Sequence, residues 1–234
     1  MPGAVARYLR EGPGAPFGPR RGAAGPSAGQ PMLNLPRMVS ALLVANLAVH
    51  VARLLLPEQI DDAIVLAFGF VPARYTGAEP FGWPAIVAPL TYQFLHGGIA
   101  HLAVNMAMLM AFGSGVERRI GPGPMVALAA ICGVLGAAMH LAVYPGSTVP
   151  VIGASAAISG LFGAVLRFLP GQGGIRRLMP LVALWIGASI LFGVTGLPGA
   201  EGAEIAWVAH IGGFAAGLAL FGLFDRRRPL VSDS

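Results

Sequence analysis

The sequence predicts an all-α polytopic membrane protein: six transmembrane helices, a long membrane-associated first loop and four short connections. Three observations predict it. Of 234 residues, 56% are hydrophobic and 11% are charged, where a soluble domain carries about 25% charged residues. Six apolar stretches, at roughly 38–56, 93–115, 125–143, 151–169, 179–195 and 205–224, match the ~17 to 25 residues a helix needs to cross a hydrocarbon core about 30 Å thick. None of the six holds Asp or Glu, and Arg53 and Arg167 stand toward span ends, where a long side chain can snorkel. Burial of all six in a large soluble core is excluded, because no amphipathic surface helix remains to cover them.

Residues 1–36 are rich in Gly, Pro, Arg and Ala without hydrophobic periodicity, and a disordered cytoplasmic tail is expected there. The tail contains no apolar run of the kind a cleaved signal peptide needs. The membrane domain is expected over 37–225, with a short second tail at 226–234. The first loop, from Pro57 to about Tyr92, is long and apolar. Its stretch from Ala63 to Val71 is too short to cross a bilayer, and Pro80, Phe81, Trp83, Pro84 and Pro89 follow, so an interfacial or re-entrant element is expected. A seventh crossing at that point would place Arg118 and Arg119 outside, against the charge pattern.

Every basic side chain is Arg, and the clusters fall on one side of the six spans. Arg7, Arg10, Arg20, Arg21 and Arg37 precede the first span, Arg118 and Arg119 follow the second, Arg176 and Arg177 the fourth, and Arg226, Arg227 and Arg228 the sixth. The other connections hold Glu58, Asp61, Asp62, Glu79, Glu201 and Glu204 with only Arg74. The positive-inside rule then puts both termini in the cytoplasm of a cell (plasma) membrane protein, with the lipid bilayer as its main partner. The net charge of +5 thus reflects topology, and no basic helix or aromatic-studded basic strand points to nucleic acid. Cys132 is the one cysteine, so no disulfide and no thiolate metal site is available.

Small residues recur at four-residue spacing, as Ser155, Ser159 and Gly163 in the fourth span and Gly213 and Gly217 in the sixth. Such stripes let membrane helices approach backbone to backbone, so these two spans are expected to touch.

Polar side chains inside a span are costly and call for a reason. They are His96, His101 and Asn105 in the second span, Ser155 and Ser159 in the fourth and His210 in the sixth, with His50 and His140 near the ends of the first and third. Spans two, four and six run in the same direction. At ~1.5 Å per residue, Ser155 and His210 both lie roughly 6 to 8 Å below the outer surface and His101 roughly 12 Å. Asn105 stacks one turn below His101, whereas helical geometry turns His96 about 140° away, toward the helix mouth. His50 and His140 are expected to be packed or hydrogen-bonded histidines without a chemical role.

A Ser hydroxyl becomes a nucleophile when a base takes its proton, and His suits that task near neutral pH. With no acid in the spans, Ser155 and His210 can form only a dyad. His101, Asn105 and the backbone N–H of Ser155 are candidate donors to an oxyanion. Zinc or aspartyl chemistry is disfavoured, since there is no HExxH and no aspartate pair in the spans. A transporter would show repeated halves or charged midplane sites, and neither is present.

Four segments together resemble the rhomboid intramembrane serine proteases over roughly 38–225: HGGIAHLAVN at 96–105, GVERRIGP at 115–122, IGAS at 152–155 and AHIGGFAAG at 209–217. The resemblance implies a six-helix rhomboid core in which Ser155 attacks the peptide, His210 is general base and then acid, and His101 and Asn105 serve the oxyanion. It implies structural roles for Glu117, tying the cytoplasmic end of the second helix to a neighbouring loop, and for Gly153, Gly213 and Gly217. It implies substrates that are single-pass membrane proteins unwinding near the outer face, and no cofactor or metal; it implies nothing about oligomeric state.

Three positions depart from the family pattern. Ala156 replaces a Gly after the nucleophile. Ser159 replaces an aromatic ring that stacks on the catalytic histidine, a place Phe162 or Trp207 could take. A loop Trp-Arg pair is reduced to Trp83-Pro84. These departures leave open a second reading, a weak or inactive rhomboid-like protein that binds membrane clients.

Overall fold

The computed structural model describes residues 34–168, 179–195 and 207–225. The expected tails at 1–36, except Asn34 to Pro36, and at 226–234 lie outside the described residues. Among the described residues the fold is all-helical: α1 Arg37–Leu54, α2 Glu58–Phe68, α3 Trp83–Thr91, α4 Ile99–Ile120, α5 Pro122–Val143, α6 Ser155–Phe168, α7 Met179–Thr195 and α8 Trp207–Phe224. The six apolar stretches correspond to α1 and α4 to α8. Of these, α1, α4, α5 and α8 are long and apolar enough to cross a membrane, while α6 and α7 are shorter apolar helices.

Two helices start later than hydropathy suggests. In α4 the delay comes from Gly97 and Gly98, the latter in extended backbone at φ 169° and ψ 171°, after a single 3-10 turn at Tyr92–Phe94. Before α6, Val151 pairs with Phe70 as an isolated antiparallel bridge and Gly153 sits at φ 116°, so the helix begins only at Ser155. With 14 residues, α6 is about 21 Å long at ~1.5 Å per residue, short of a ~30 Å hydrocarbon core.

Within α4 one wide π-turn, Leu109–Gly113, interrupts the regular ladder. Gly113 closes it against α1, where an added Cβ would stand 3.1 Å from Val39 Cγ2. The same helix end supplies the N-terminal cap that Pro36 cannot give α1. The Glu117 carboxylate accepts the N–H of Met38 at 3.1 Å and of Val39 at 2.8 Å. The neighbour of Glu117 is thus the first turn of a helix rather than a loop. An anion there is favoured by the orphan N–H groups and the helix dipole, and each charge-assisted bond contributes about 1.5 to 3 kcal/mol.

Helices α5, α6 and α8 form the tightest part of the bundle. Their contact is backbone on backbone: a Cβ on Gly213 would run into the carbonyl of Ala156, and one on Gly217 into the carbonyl of Gly160. Beside this seam Val39, Leu109, Met125, Leu128, Cys132, Ile158 and Leu161 fill one buried cluster.

The first loop folds on itself and over the chain that enters α6. Thr91 Oγ1 donates to Phe68 O at 2.8 Å and Tyr75 OH to Ala85 O at 2.6 Å, with Phe68 and Trp83 rings edge to face at 5.7 Å. Ile60, Leu66, Phe81, Trp83, Ile86 and Leu90 stay exposed on it; α2, with 11 residues, spans only about 16 Å and does not cross. Phe70 N donates to Val151 O at 3.0 Å, Val151 N to Phe70 O at 2.9 Å, Ala73 N to Ser147 O at 2.9 Å and Gly153 N to Tyr92 O at 2.9 Å. These bonds fix the approach to Ser155.

Candidate active site

Ser155 opens α6, and the first intrahelical bond there runs from Ile158 N to Ala154 O at 2.9 Å. The N–H groups of Ser155, Ala156 and Ala157 therefore have no partner inside the helix. The side chain of Ser155 meets His210, at the end of the first turn of α8, with Oγ and Nε2 at 2.7 Å. In the neutral pair the hydroxyl donates and Nε2 accepts, which requires the His210 proton on Nδ1. The register that brings them together is the Gly213 and Gly217 seam one and two turns further along α8.

His101, buried on α4, faces the same spot. Its Nδ1 accepts the Gly97 N–H at 3.4 Å, so the ring proton belongs on Nε2, which is then a donor. A Cβ on Gly153 would lie 2.8 Å from His101 Nε2, 2.9 Å from its Cε1 and 3.7 Å from Ser155 Oγ. Only glycine provides both the positive φ and the space for the imidazole. Gly153→Ala is accordingly expected to destabilise the fold by about 1 to 3 kcal/mol, the scale of a strained backbone position; thermal unfolding in detergent checks this, and an unchanged midpoint would mean that the turn or the His101 ring gives way freely.

Asn105, also buried, donates from Nδ2 to His101 O at 2.9 Å, which leaves its second amide hydrogen unspent on that bond. His96 stands at the mouth of α4. It precedes the helix, is 1% exposed, and sets its ring edge-on to His101 with centroids 5.1 Å apart. His50 and His140 are buried on α1 and α5, His140 beside Tyr144 at 5.0 Å between centroids.

The departures from the family pattern have local explanations. The methyl of Ala156 points at α5, into space that exists because residue 136 is Gly: a Cβ there would lie 2.8 Å from that methyl. Ser159 is fully buried and donates from Oγ to Ser155 O at 2.7 Å, so it braces the turn that carries Ser155. Phe162 packs against Phe112, Trp185 and Phe214, at 4.8, 5.1 and 5.7 Å between centroids.

Arg53 is the residue that hydropathy misjudged. It does not snorkel to water; its side chain is 10% exposed and pairs with Asp61. The one available signal was an arginine at a span end with a carboxylate eight residues on.

Fold and site define a polytopic, intramembrane protease-like protein with a half-buried Ser–His pair where three helices begin. Residues 85–227, more than half of the chain, match the Rhomboid domain, and the chain belongs to the rhomboid family. It is 28% identical to RHOMBOID-like protein 4 of Arabidopsis thaliana over 210 residues, 79% of this chain and 52% of that protein. It is 30% identical to Rhomboid-type serine protease 2 of Emericella nidulans over 170 residues, 69% of this chain and 32% of that one. With Rhomboid protease GluP of Bacillus subtilis it shares 38% identity over 84 residues, 36% of this chain and 15% of that one. The chain thus spans about half or less of the length of these curated relatives.

Proposed function

We propose that the chain is an intramembrane serine endopeptidase that cleaves single-pass membrane proteins near the outer face. The observation that carries this reading is the 2.7 Å approach of His210 Nε2 to Ser155 Oγ inside a membrane bundle. As Oγ attacks the scissile carbonyl carbon, its proton passes to His210 Nε2 and the C=O electron pair becomes an oxyanion. His101 Nε2–H, the free amide hydrogen of Asn105 and the Ser155 N–H stabilise that charge. His210 then gives its proton to the leaving amine, and water, activated by the same imidazole, hydrolyses the acyl-enzyme.

A dyad suffices because His210 needs only its tautomer and position defined, and the glycine seam supplies the position. The arginine distribution supports cytoplasmic termini in a plasma-membrane protein. On this topology Ser155, His210 and the first loop lie toward the outer face.

The test is covalent. A fluorophosphonate probe is expected to label wild-type protein in liposomes on Ser155, located by peptide mass spectrometry, and to leave Ser155→Ala and His210→Ala unlabelled. Equal labelling of all three would sink the assignment and leave the client-binding reading in its place.

A further inference from the structure

His101 can serve an oxyanion only while its proton stays on Nε2. Among the described residues the contact that holds the proton there is the Gly97 N–H on Nδ1, at 3.4 Å, and it comes from the peptide just ahead of α4, whose first helical bond, from Leu102 N at 3.0 Å, is taken only by the next carbonyl, that of Gly98. Something must hold this backbone. One residue upstream, the carbonyl of His96 accepts a bond from Arg53 at 2.8 Å from its terminal nitrogen. The rest of the guanidinium is locked by Asp61, with Nε to Oδ1 at 2.6 Å and the second terminal nitrogen to Oδ2 at 3.0 Å. All three nitrogens of Arg53 are engaged, two of them in a bidentate fork that fixes the plane of the group.

We propose that Arg53, oriented by Asp61, is a positioning residue for His101: it pins the His96 carbonyl so that the Gly97 N–H stays on Nδ1 and the imidazole presents Nε2–H to the site. The inference rests on the proposed oxyanion role of His101. The His96 ring, edge-on to His101, moves with the same peptide, so loss of Arg53 disturbs the imidazole from two sides. Without the Gly97 contact the ring populates both tautomers, and the Nδ1–H form turns a lone pair toward the developing negative charge. Lysine cannot replace the fork, since a single ammonium cannot hold a flat bidentate grip on Asp61 while reaching the carbonyl in the same plane.

A purely structural clasp between α1 and α2 would also use this ion pair, so the test must read the imidazole as well as the rate. Full-length wild type, Arg53→Met, Arg53→Lys and Asp61→Asn are reconstituted in liposomes with histidine labelled in 15N, and the His101 resonances are assigned by their loss in His101→Gln. Wild type is expected to show His101 protonated at Nε2, and Arg53→Met a mixture of tautomers. With a transmembrane substrate, Arg53→Met is expected to lose about 10- to 100-fold in kcat with KM changed less than about twofold, and Arg53→Lys to recover only part of that.

Wild-type His101 protonated on Nδ1 overturns the proposal, as does an Arg53→Met enzyme with unchanged kcat or with a loss confined to KM. Should Arg53→Met fail to fold, the wild-type tautomer and the milder Asp61→Asn variant decide the matter by the same readings. A Ser155→Ala protein that cleaves as fast as wild type removes the protease reading instead, while the tautomer spectra still report whether Arg53 governs His101.

Discussion

His210→Ala is expected to lower kcat/KM on a transmembrane substrate by about 10⁴-fold or more, and Ser155→Ala by a similar factor. The double variant is expected to be no worse than either single one, because in the proposed dyad nucleophile and base act as one unit and removing either leaves only binding and the proposed oxyanion donors. The fold survives these changes for a structural reason. What holds α8 against α6 is the backbone contact at Gly213 and Gly217, on turns of the helix beyond His210. Thermal unfolding of His210→Ala in detergent is therefore expected to stay close to wild type while turnover collapses. Cleavage of a single-pass substrate in proteoliposomes, followed for both single variants and the double, checks the prediction. Losses that multiply in the double variant would mean that Ser155 and His210 do not work on one bond.

The bundle itself was legible in the sequence because a bilayer imposes a length on every crossing. Six apolar stretches gave six helices, and the direction of each span was enough to place Ser155, His210 and His101 in one layer. What was not legible depends on contacts with no local pattern. The bridge between Phe70 and Val151 joins residues 81 positions apart in sequence, and it delays α6 until Ser155. Apolarity continues through Val151 and Ile152, so hydropathy could not see that the helix had yet to begin. The same holds for Glu117, whose acidic side chain is visible in sequence while its partners, the N–H groups of Met38 and Val39, carry no side-chain signature at all. Arg53 was read by its residue type, and a long cation at a span end does usually snorkel. Only the fold of the first loop brings Asp61 and the His96 carbonyl to it. Ser159 shows the reverse case: the missing aromatic ring was evident, but the bond that Ser159 makes to Ser155 O was not.

Gly217→Val is expected to destabilise the folded bundle by about 3 kcal/mol or more, the upper range for overpacking a tight contact. The reason is the identity of the obstructing atoms. A Cβ at Gly217 meets the Gly160 carbonyl, and one at Gly213 meets the Ala156 carbonyl; these are helix backbone, which cannot swing aside as a side-chain tip can. The helices must separate, and separation of α6 from α8 is separation of Ser155 from His210, so activity falls with stability. Gly187→Val on α7 supplies the comparison, since it adds the same isopropyl group to a membrane helix where, among the described residues, no atom beyond the helix's own backbone and the adjoining residues lies within 4 Å of the added Cβ. Its only backbone consequence is a propensity change of a few tenths of a kcal/mol, on the order of the Gly to Val difference in helices. Unfolding of both variants in mixed micelles with increasing denaturing detergent measures the contrast. Equal midpoints would show that α6 and α8 do not meet through their glycines, and the placement of His210 over Ser155 would then need another cause.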